Sequence, residues 1–196
     1  MKLSDAVLDT IARRGVVTPK FISNALGISL KQAQNVLHYL LKTKRVRKVC
    51  WGLYTIFTDP KVIGCKIVPS YISFLSALSL WGLTTQIAGT YILATIHRVT
   101  SRRECYKKLG IRYIKIPRKA FLGYVWKKSN LDNGIYFIAE PEKAITDMIY
   151  AEQNPTHMAI DWSRLNIKKI SIYSKYYPKK TRKKILRIIS IAKKQL

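Results

Sequence analysis

"VPSYISFLSALSLWGLTTQIAGTYILAT", residues 68–95, contains no charged side chain, although the chain around it is crowded with lysine and arginine. The nearest charges are Lys66 before it and Arg98 after it. Such a gap is either a membrane span or the core of a folded domain that keeps its charges elsewhere. A helical span needs about 20 predominantly apolar residues. Here Ser70, Ser73, Ser76, Ser79, Gly82, Thr84, Thr85 and Gln86 interrupt the run, so the core reading is the better one. Pro69 followed by Ser70 suits a helix start and Gly82 a stop, which predicts a helix over 71–81 of about three turns. "TYILATI" (90–96) is rich in branched and aromatic residues and predicts a buried strand.

The chain has 196 residues and a formal net charge of +26, from 36 Lys and Arg against 10 Asp and Glu. That length suits one compact domain or two small ones. A charge so high says little about fold, but it points to a polyanionic partner, nucleic acid or an anionic surface. Cys50, Cys65 and Cys105 lie far apart, match no metal or redox spacing, and are read as buried thiols in a reducing, cytoplasmic compartment. The first residues, "MKLSDAVLDTIARRG", carry acids within their apolar pattern and have no hydrophobic region of the signal-peptide kind.

Upstream of the uncharged stretch the helix punctuation is dense. Ser4 is expected to cap a helix over 5–14 that ends at Gly15. Thr18-Pro19 gives an N-cap and a proline at the first helical position for a helix over 19–26, stopped by Gly27. Ser29 caps a third helix over 30–43, and "LGIS" (26–29) between the last two is a turn of helix-turn-helix type. "RVRKV" and "LYTIF", joined by "CWG", then form a hairpin bending at Gly52. Three helices and a hairpin in this order are the plan of a winged helix-turn-helix.

On the third helix, Ala33, Val36, Leu37, Leu40 and Leu41 share one face at 100° per residue. The opposite face carries Lys31, Asn35, His38 and Lys42, flanked by Gln32 and Gln34, with no acid. Asn and Gln can pair bidentately with adenine edges in the major groove, and Lys with guanine or phosphate. A solvated face is the bland alternative, but the missing acids favour a surface that meets a phosphate backbone. The candidate DNA-contacting residues are therefore Ser29, Lys31, Gln32, Gln34, Asn35, His38 and Lys42 on the helix. Lys44, Arg45, Arg47 and Lys48 join them on the wing, which would lie on the sugar-phosphate backbone or in the minor groove. Alternating Arg45, Val46, Arg47 also suits an ordinary half-exposed strand, and both readings hold together.

"DPKVIG" (59–64) reads as a linker, which divides the chain into a winged helix-turn-helix over 1–60, a middle α+β domain over 61–160 and basic helices over 161–196. These parts carry net charges of +7, +8 and +11. In the middle domain, "IRYIKI", "FLGYVW" and "GIYFIA" are short strand-like runs, "SRRECYKKLG" is a short helix or loop, and "EPEKAITDMIYAE" starts a helix at Pro141. Ala144, Ile145, Met148 and Ile149 make that helix's inner face. The expected fold class is α+β, with a small mixed sheet and helices packed on it. The last helix sets Ile185, Ile188, Ile189 and Ala192 against Lys183, Lys184, Arg187, Lys193 and Lys194. With no Trp or Phe anchor it should dock on the domain and not lie on a membrane. Lys179, Lys180, Arg182, Lys183 and Lys184 are candidates for phosphate contacts.

Catalytic motifs are missing: no Gly-rich phosphate loop, no G-x-S-x-G and no H-E-x-x-H, so no catalytic, cofactor or metal residue is assigned. A metal nuclease would need clustered carboxylates. The nearest approach is Glu140, Glu142 and Asp147, with Lys143 among them and Asp132 upstream; helix-dipole placement explains the two glutamates better. A nucleic-acid-acting enzyme and a basic RNA-binding module stand as alternatives. The four tryptophans and twelve tyrosines could stack on bases, though most such aromatics are core.

The succession of a winged helix, "PSYISFLSALSLWGLTTQI" (69–87), a β-rich middle, "AEPEKAITDMIY" (139–150) and paired C-terminal helices resembles the AbiEi family, the antitoxins of type IV toxin–antitoxin systems and their stand-alone relatives. The resemblance covers nearly the whole chain, and the two quoted blocks are its most specific part. It implies a transcriptional regulator whose winged helix binds inverted repeats in the promoter of its own operon and represses it. It also implies a C-terminal domain that counters a nucleotidyltransferase toxin without a stable complex. By position, the family's DNA-reading helix falls on 30–43 and its wing on 45–56. The last 36 residues, with 12 basic side chains and one acid, depart from the family by their charge.

Overall fold

The computed structural model describes residues 2–86 and 89–192. Its N-terminal helices sit where their caps put them. Helix α1 (Leu3–Arg14) ends at Gly15, which turns the chain with φ 94°, but it starts ahead of the expected cap: Lys2 is the N-cap, and the Ser4 hydroxyl donates to Asp5 instead. A two-residue strand, β1 (Val16–Val17), follows. In α2 (Pro19–Leu26) the Thr18 hydroxyl accepts from the Phe21 amide at 3.1 Å, and Gly27 closes the helix in the left-handed region. Helix α3 (Leu30–Lys42) begins with a reciprocal capping box between Ser29 and Gln32. Strands β2 (Arg47–Cys50) and β3 (Leu53–Thr55) form the hairpin, and β1 joins its far side to make an antiparallel sheet of order β1-β3-β2. These three helices and the small sheet are arranged as a winged helix-turn-helix.

The pairing of β2 slips between Lys48 and Cys50, so Val49 forms a bulge. The bulge turns both Val49 and Cys50 inward. Consequently the small sheet faces two cores. Val17 and Val46 pack with Val7, Ile11, Ile22, Ala33, Leu37 and Leu40 of the three helices. Val16, Val49, Cys50 and Leu53 belong to the larger core of the rest of the chain.

The stretch 59–64, expected as a linker, opens a helix, α4 (Pro60–Ile67). Asp-Pro is an N-cap followed by a proline at the first helical position, a pair that a turn shares. Asp59 is buried. Its carboxylate accepts from the Lys61 amide at 2.9 Å and from Ser129 Oγ at 2.6 Å, while Asp132 accepts the Thr58 and Asp59 amides at 2.7 and 2.8 Å. Val62, Ile63 and Cys65 point into the core.

The uncharged stretch supplies core at 70–78 and 93–95, but its first part is a strand. β4 (Ser70–Ile72) precedes α5 (Phe74–Leu80), so the helix expected over 71–81 starts late. A proline fits the first residue of a strand as well as that of a helix, and a short apolar run does not separate the two by periodicity. β5 (Tyr91–Thr95), α6 (Arg103–Lys108), β6 (Ile111–Lys115), β7 (Tyr124–Lys128) and β8 (Ile135–Ala139) follow. β7 starts three residues into "FLGYVW", after Gly123. The five strands have the order β6-β5-β4-β8-β7. The pairs β4–β8 and β5–β6 are parallel; β4–β5 and β7–β8 are antiparallel. The fold is α+β with a mixed sheet. No helix among the described residues is long and apolar enough to cross a membrane.

Successive strand residues point to opposite faces, and this separates the helices. Tyr71 leaves one face of β4, and its hydroxyl donates to Asp147 of α7 (Pro141–Tyr150) at 3.1 Å. Leu93 and Ile111 leave the other face to lie against Gly64 of α4, and Tyr113 donates to the Gly64 carbonyl at 2.7 Å. Tyr106 of α6 meets Tyr113 edge-on at 5.5 Å. Helices α4 and α6 therefore share the face that meets the wing. On the opposite face, α8 (Ile167–Ser174) packs on α7, and α9 (Lys179–Ala192) covers both with Ile185, Ile188, Ile189 and Ala192. The expected docking of the last helix is thus seen; its Lys193 and Lys194 lie outside the described residues.

The cysteines differ from expectation. Cys50 and Cys105 form a disulfide with Cα atoms 6.0 Å apart, which ties the end of β2 to α6. Only Cys65 is a buried free thiol, with burial pushing its pKa up to about 12. Chain separation hid the pair, because the two residues meet only through the packing of the wing on the body.

Candidate nucleic-acid interface

Helix α3 buries Ala33, Leu37 and Leu40 and half-buries Val36 and Leu41. That fixes its rotation. Lys31, Gln34, Asn35, His38 and Lys42, spaced at i, i+3, i+4, i+7 and i+11, form one exposed stripe. None of them makes a side-chain hydrogen bond or ion pair among the described residues, so their polar ends are free for a partner.

Two of the expected contact residues are engaged in holding the helix. Ser29 Oγ accepts from the Gln32 amide at 3.2 Å, and Gln32 Oε1 accepts from the Ser29 amide at 3.0 Å. The cap folds the Gln32 side chain back on the helix start, so presenting its amide edge to adenine would mean giving up the bond to Ser29. Gln34 and Asn35 stand side by side on the exposed stripe without such an engagement.

On the wing, Lys44, Arg45, Arg47 and Lys48 are all exposed. Lys44 takes the left-handed conformation at φ 57° where the chain leaves α3. Arg45 reaches back to Asp5 at 3.6 Å, an ion pair with both partners about half exposed; such pairs add about 0–1 kcal/mol and exchange readily for a phosphate. At the wing tip, Trp51 is 86% exposed, with Lys48 Nζ 5.8 Å from its ring. Sequence reasoning passed over Trp51 as part of the hairpin joint. Its place directly before the bend glycine is a signal that it projects from a turn. Trp126 on the edge strand β7 is also well exposed, whereas Trp81 and Trp162 are packed.

Lys179, Lys180, Arg182, Lys183 and Lys184 are exposed on α9. They are not brought together with α3 or the wing, because α9 lies across the five-stranded sheet from them.

The acidic cluster is spoken for. Glu140 accepts from Lys169 Nζ at 2.8 Å and from the Tyr173 hydroxyl. Burial pushes its pKa up, but these partners outweigh that and hold it below the usual carboxylate value. Glu142 accepts the Asn166 amide at 2.9 Å. Asp147 is fully buried and takes hydrogen bonds from Lys143 Nζ (2.6 Å), Tyr177 (2.5 Å), Ser73 (2.6 Å) and Tyr71 (3.1 Å). Asp132 caps the Thr58–Asp59 and Gly134 amides. Among the described residues no group of three His, Cys, Asp or Glu side chains is placed to hold a metal ion. The four carboxylates named together in the sequence are thus engaged separately, and only Asp147 is paired with Lys143.

No protein-family model matches the chain, and no curated protein matches it. Among solved structures, the chain is similar to the RV2827C protein from Mycobacterium tuberculosis, with 13% sequence identity and a TM-score of 0.54 over 96% of this chain and 76% of that one. A likeness at this identity is one of fold alone.

Proposed function

We propose that the protein is a sequence-specific duplex-DNA-binding regulator that reads the major groove with α3 and lays its wing on the backbone. The observation that carries this is the acid-free stripe Lys31, Gln34, Asn35, His38 and Lys42, exposed on the helix that occupies the recognition position. Asn35 and Gln34 supply base-edge pairing; Lys31, Lys42, Arg47 and Lys48 supply phosphate contacts. Trp51, with Lys48 beside it, suits a wing that inserts an aromatic edge into the minor groove. The resemblance to AbiEi proteins extends this reading to repression of its own promoter at inverted repeats, and to opposition of a nucleotidyltransferase toxin. Such a role places the protein with the chromosome, in the cytoplasm. The Cys50–Cys105 bridge is then of the kind found in intracellular proteins of hyperthermophiles or in redox-responsive ones.

The test selects a binding site from random duplexes and then compares Asn35→Ala with the unaltered protein on selected and random DNA at fixed salt. Removing a bidentate base pairing should cost about 1–3 kcal/mol on the selected site and leave random binding nearly unchanged. Equal weakening on both would move Asn35 to the backbone, and failure to enrich any site would end the sequence-specific reading.

A further inference from the structure

The chain carries more positive charge than one recognition helix and its wing use, and two exposed clusters of the remainder lie on opposite sides of the five-stranded sheet. One is on α9. The other is on α6, where Arg102, Arg103, Lys107 and Lys108 are all exposed, with exposed Arg112 beside them on the edge strand β6. None of these five forms an ion pair among the described residues, and Glu104 is the one acid in α6. Arg103 is anchored by its Nε, which donates to the Val99 carbonyl at 3.1 Å, and with Lys107 and Arg112 it rims a cleft of about 530 Å³. Lys108 lies one turn beyond Cys105 on the same side of α6. Cys105 is bonded to Cys50, two residues past Lys48 on the wing.

We infer that α6 and the adjoining end of β6 form a second DNA-backbone surface, continuous with the wing and held beside it by the Cys50–Cys105 bridge. This rests on the DNA-binding reading above and extends it to the body of the protein. Two features single out α6 over α9. The first is position: α6 and α4 occupy the face of the sheet that meets the wing, whereas α9 is on the other face behind α7 and α8. A duplex lying along β2 continues past Arg47 and Lys48 directly over α6. The second is attachment. A covalent link a few residues from both basic groups keeps them in one register, so a rigid duplex can meet both at once without a further ordering cost. The occupant is a phosphate backbone because the side chains are cationic ends with no cluster of Asn or Gln to read base edges.

The full-length protein is titrated with a random-sequence duplex several helical turns long, over a series of salt concentrations, as three forms. They are the unaltered chain, Arg102→Gln/Arg103→Gln/Lys107→Gln/Lys108→Gln, and, as a charge control, Lys179→Gln/Lys180→Gln/Arg182→Gln/Lys183→Gln/Lys184→Gln. All substituted positions are exposed, and circular dichroism with thermal melting confirms that each form is folded. The plot of log affinity against log salt should flatten by about 0.9 for each phosphate that the protein no longer neutralises, roughly 2 to 4 in all, in the α6 form. The α9 form, which gives up more charge, should keep the slope of the unaltered protein. An unchanged slope in the α6 form, or an equal flattening in the α9 form, overturns the inference while leaving the DNA-binding reading intact. No salt-dependent duplex binding by the unaltered chain removes both.

Discussion

Asp147→Asn is the sharpest test of the buried network that anchors α7. Asp147 and Lys143 are both inaccessible to water, one helical turn apart, and joined at 2.6 Å. Asparagine keeps the shape but offers one acceptor oxygen to four donors and no charge to Lys143. A buried cation without its partner costs about 3–5 kcal/mol. The alternative open to the protein is to fold with Lys143 neutral. At pH 7 that costs about 1.36 kcal/mol for each unit below lysine's ordinary value of about 10.4, or roughly 4.6 kcal/mol. The two routes agree, so the variant should lose about 4 kcal/mol in urea denaturation at pH 7 with an unchanged m-value. They also fix the pH dependence. Burial already holds Lys143 below the value of a free lysine, with Asp147 opposing that shift. Without Asp147, the folded variant binds one proton fewer than its unfolded chain, so its stability rises with pH. The deficit should fall to about 2 kcal/mol at pH 9, following the same 1.36 kcal/mol per unit. A loss under about 1 kcal/mol, or a deficit that does not shrink between pH 7 and 9, would mean that Lys143 reaches water in the folded state.

Two further outcomes follow from the same structure. The Cys50–Cys105 bridge closes a loop with a sequence separation of 55, for which the chain-entropy relation gives about 4 kcal/mol. Cys105→Ser or a dithiol reductant should lower the urea midpoint accordingly, and thiol titration of the unreduced, unfolded chain should find one free thiol; finding three would dismiss the bridge. At alkaline pH the unaltered protein should lose stability. Burial holds Tyr71, Tyr113 and Tyr177 above tyrosine's ordinary value of 10.0 and Cys65 above 9.0. Above those values the unfolded chain releases protons that the folded chain keeps, so stability present below about pH 9 declines from there and more steeply past 10. A midpoint that stays flat from pH 8 to 11 would contradict their burial.

Local chemistry made the N-terminal fold legible. Thr18-Pro19 and Ser29 with Gln32 three residues on are caps that work through bonds to their own helices, so the sequence displays them directly. The strands of the middle domain were legible where β-branched runs sit between turn residues, as in β5, β6 and β8. Where two structures share one local signal, sequence alone chose wrongly. Pro69 opens a strand because Ser70–Ile72 pairs with strands on both sides, a fact that lives in residues 93–95 and 138. Asp59-Pro60 starts a helix because Asp132 and Ser129, about seventy positions away, hold the turn before it. The inner face expected for α7 was right as far as it went. The helix is in fact buried nearly all round, since Lys143 and Asp147 neutralise each other.

The candidate interface divides in the same way. The rotation of α3 follows from its apolar period, so its exposed stripe could be drawn before the structure. What the period could not say is which polar side chains are already occupied: Gln32 belongs to the cap, and Gln34 does not. Charge is the deeper case. Counting by segment made the last 36 residues the most basic part of the chain and drew attention to α9. A phosphate backbone, however, meets a face, not a segment. The wing strand β2 is tied through Cys50 and Cys105 to α6, whose basic residues were diluted in the count by the acids of α7 on the other side of the sheet. The sheet is the reason that sequence distance misleads here. Its parallel β5–β6 pair requires a crossover, that crossover is α6, and the crossover places Arg103–Lys108 over the face where the wing docks. Residues 68–95 can remain uncharged because they supply β4, α5 and β5 at the centre of that arrangement, and the charge they exclude is carried outward to the two helical layers.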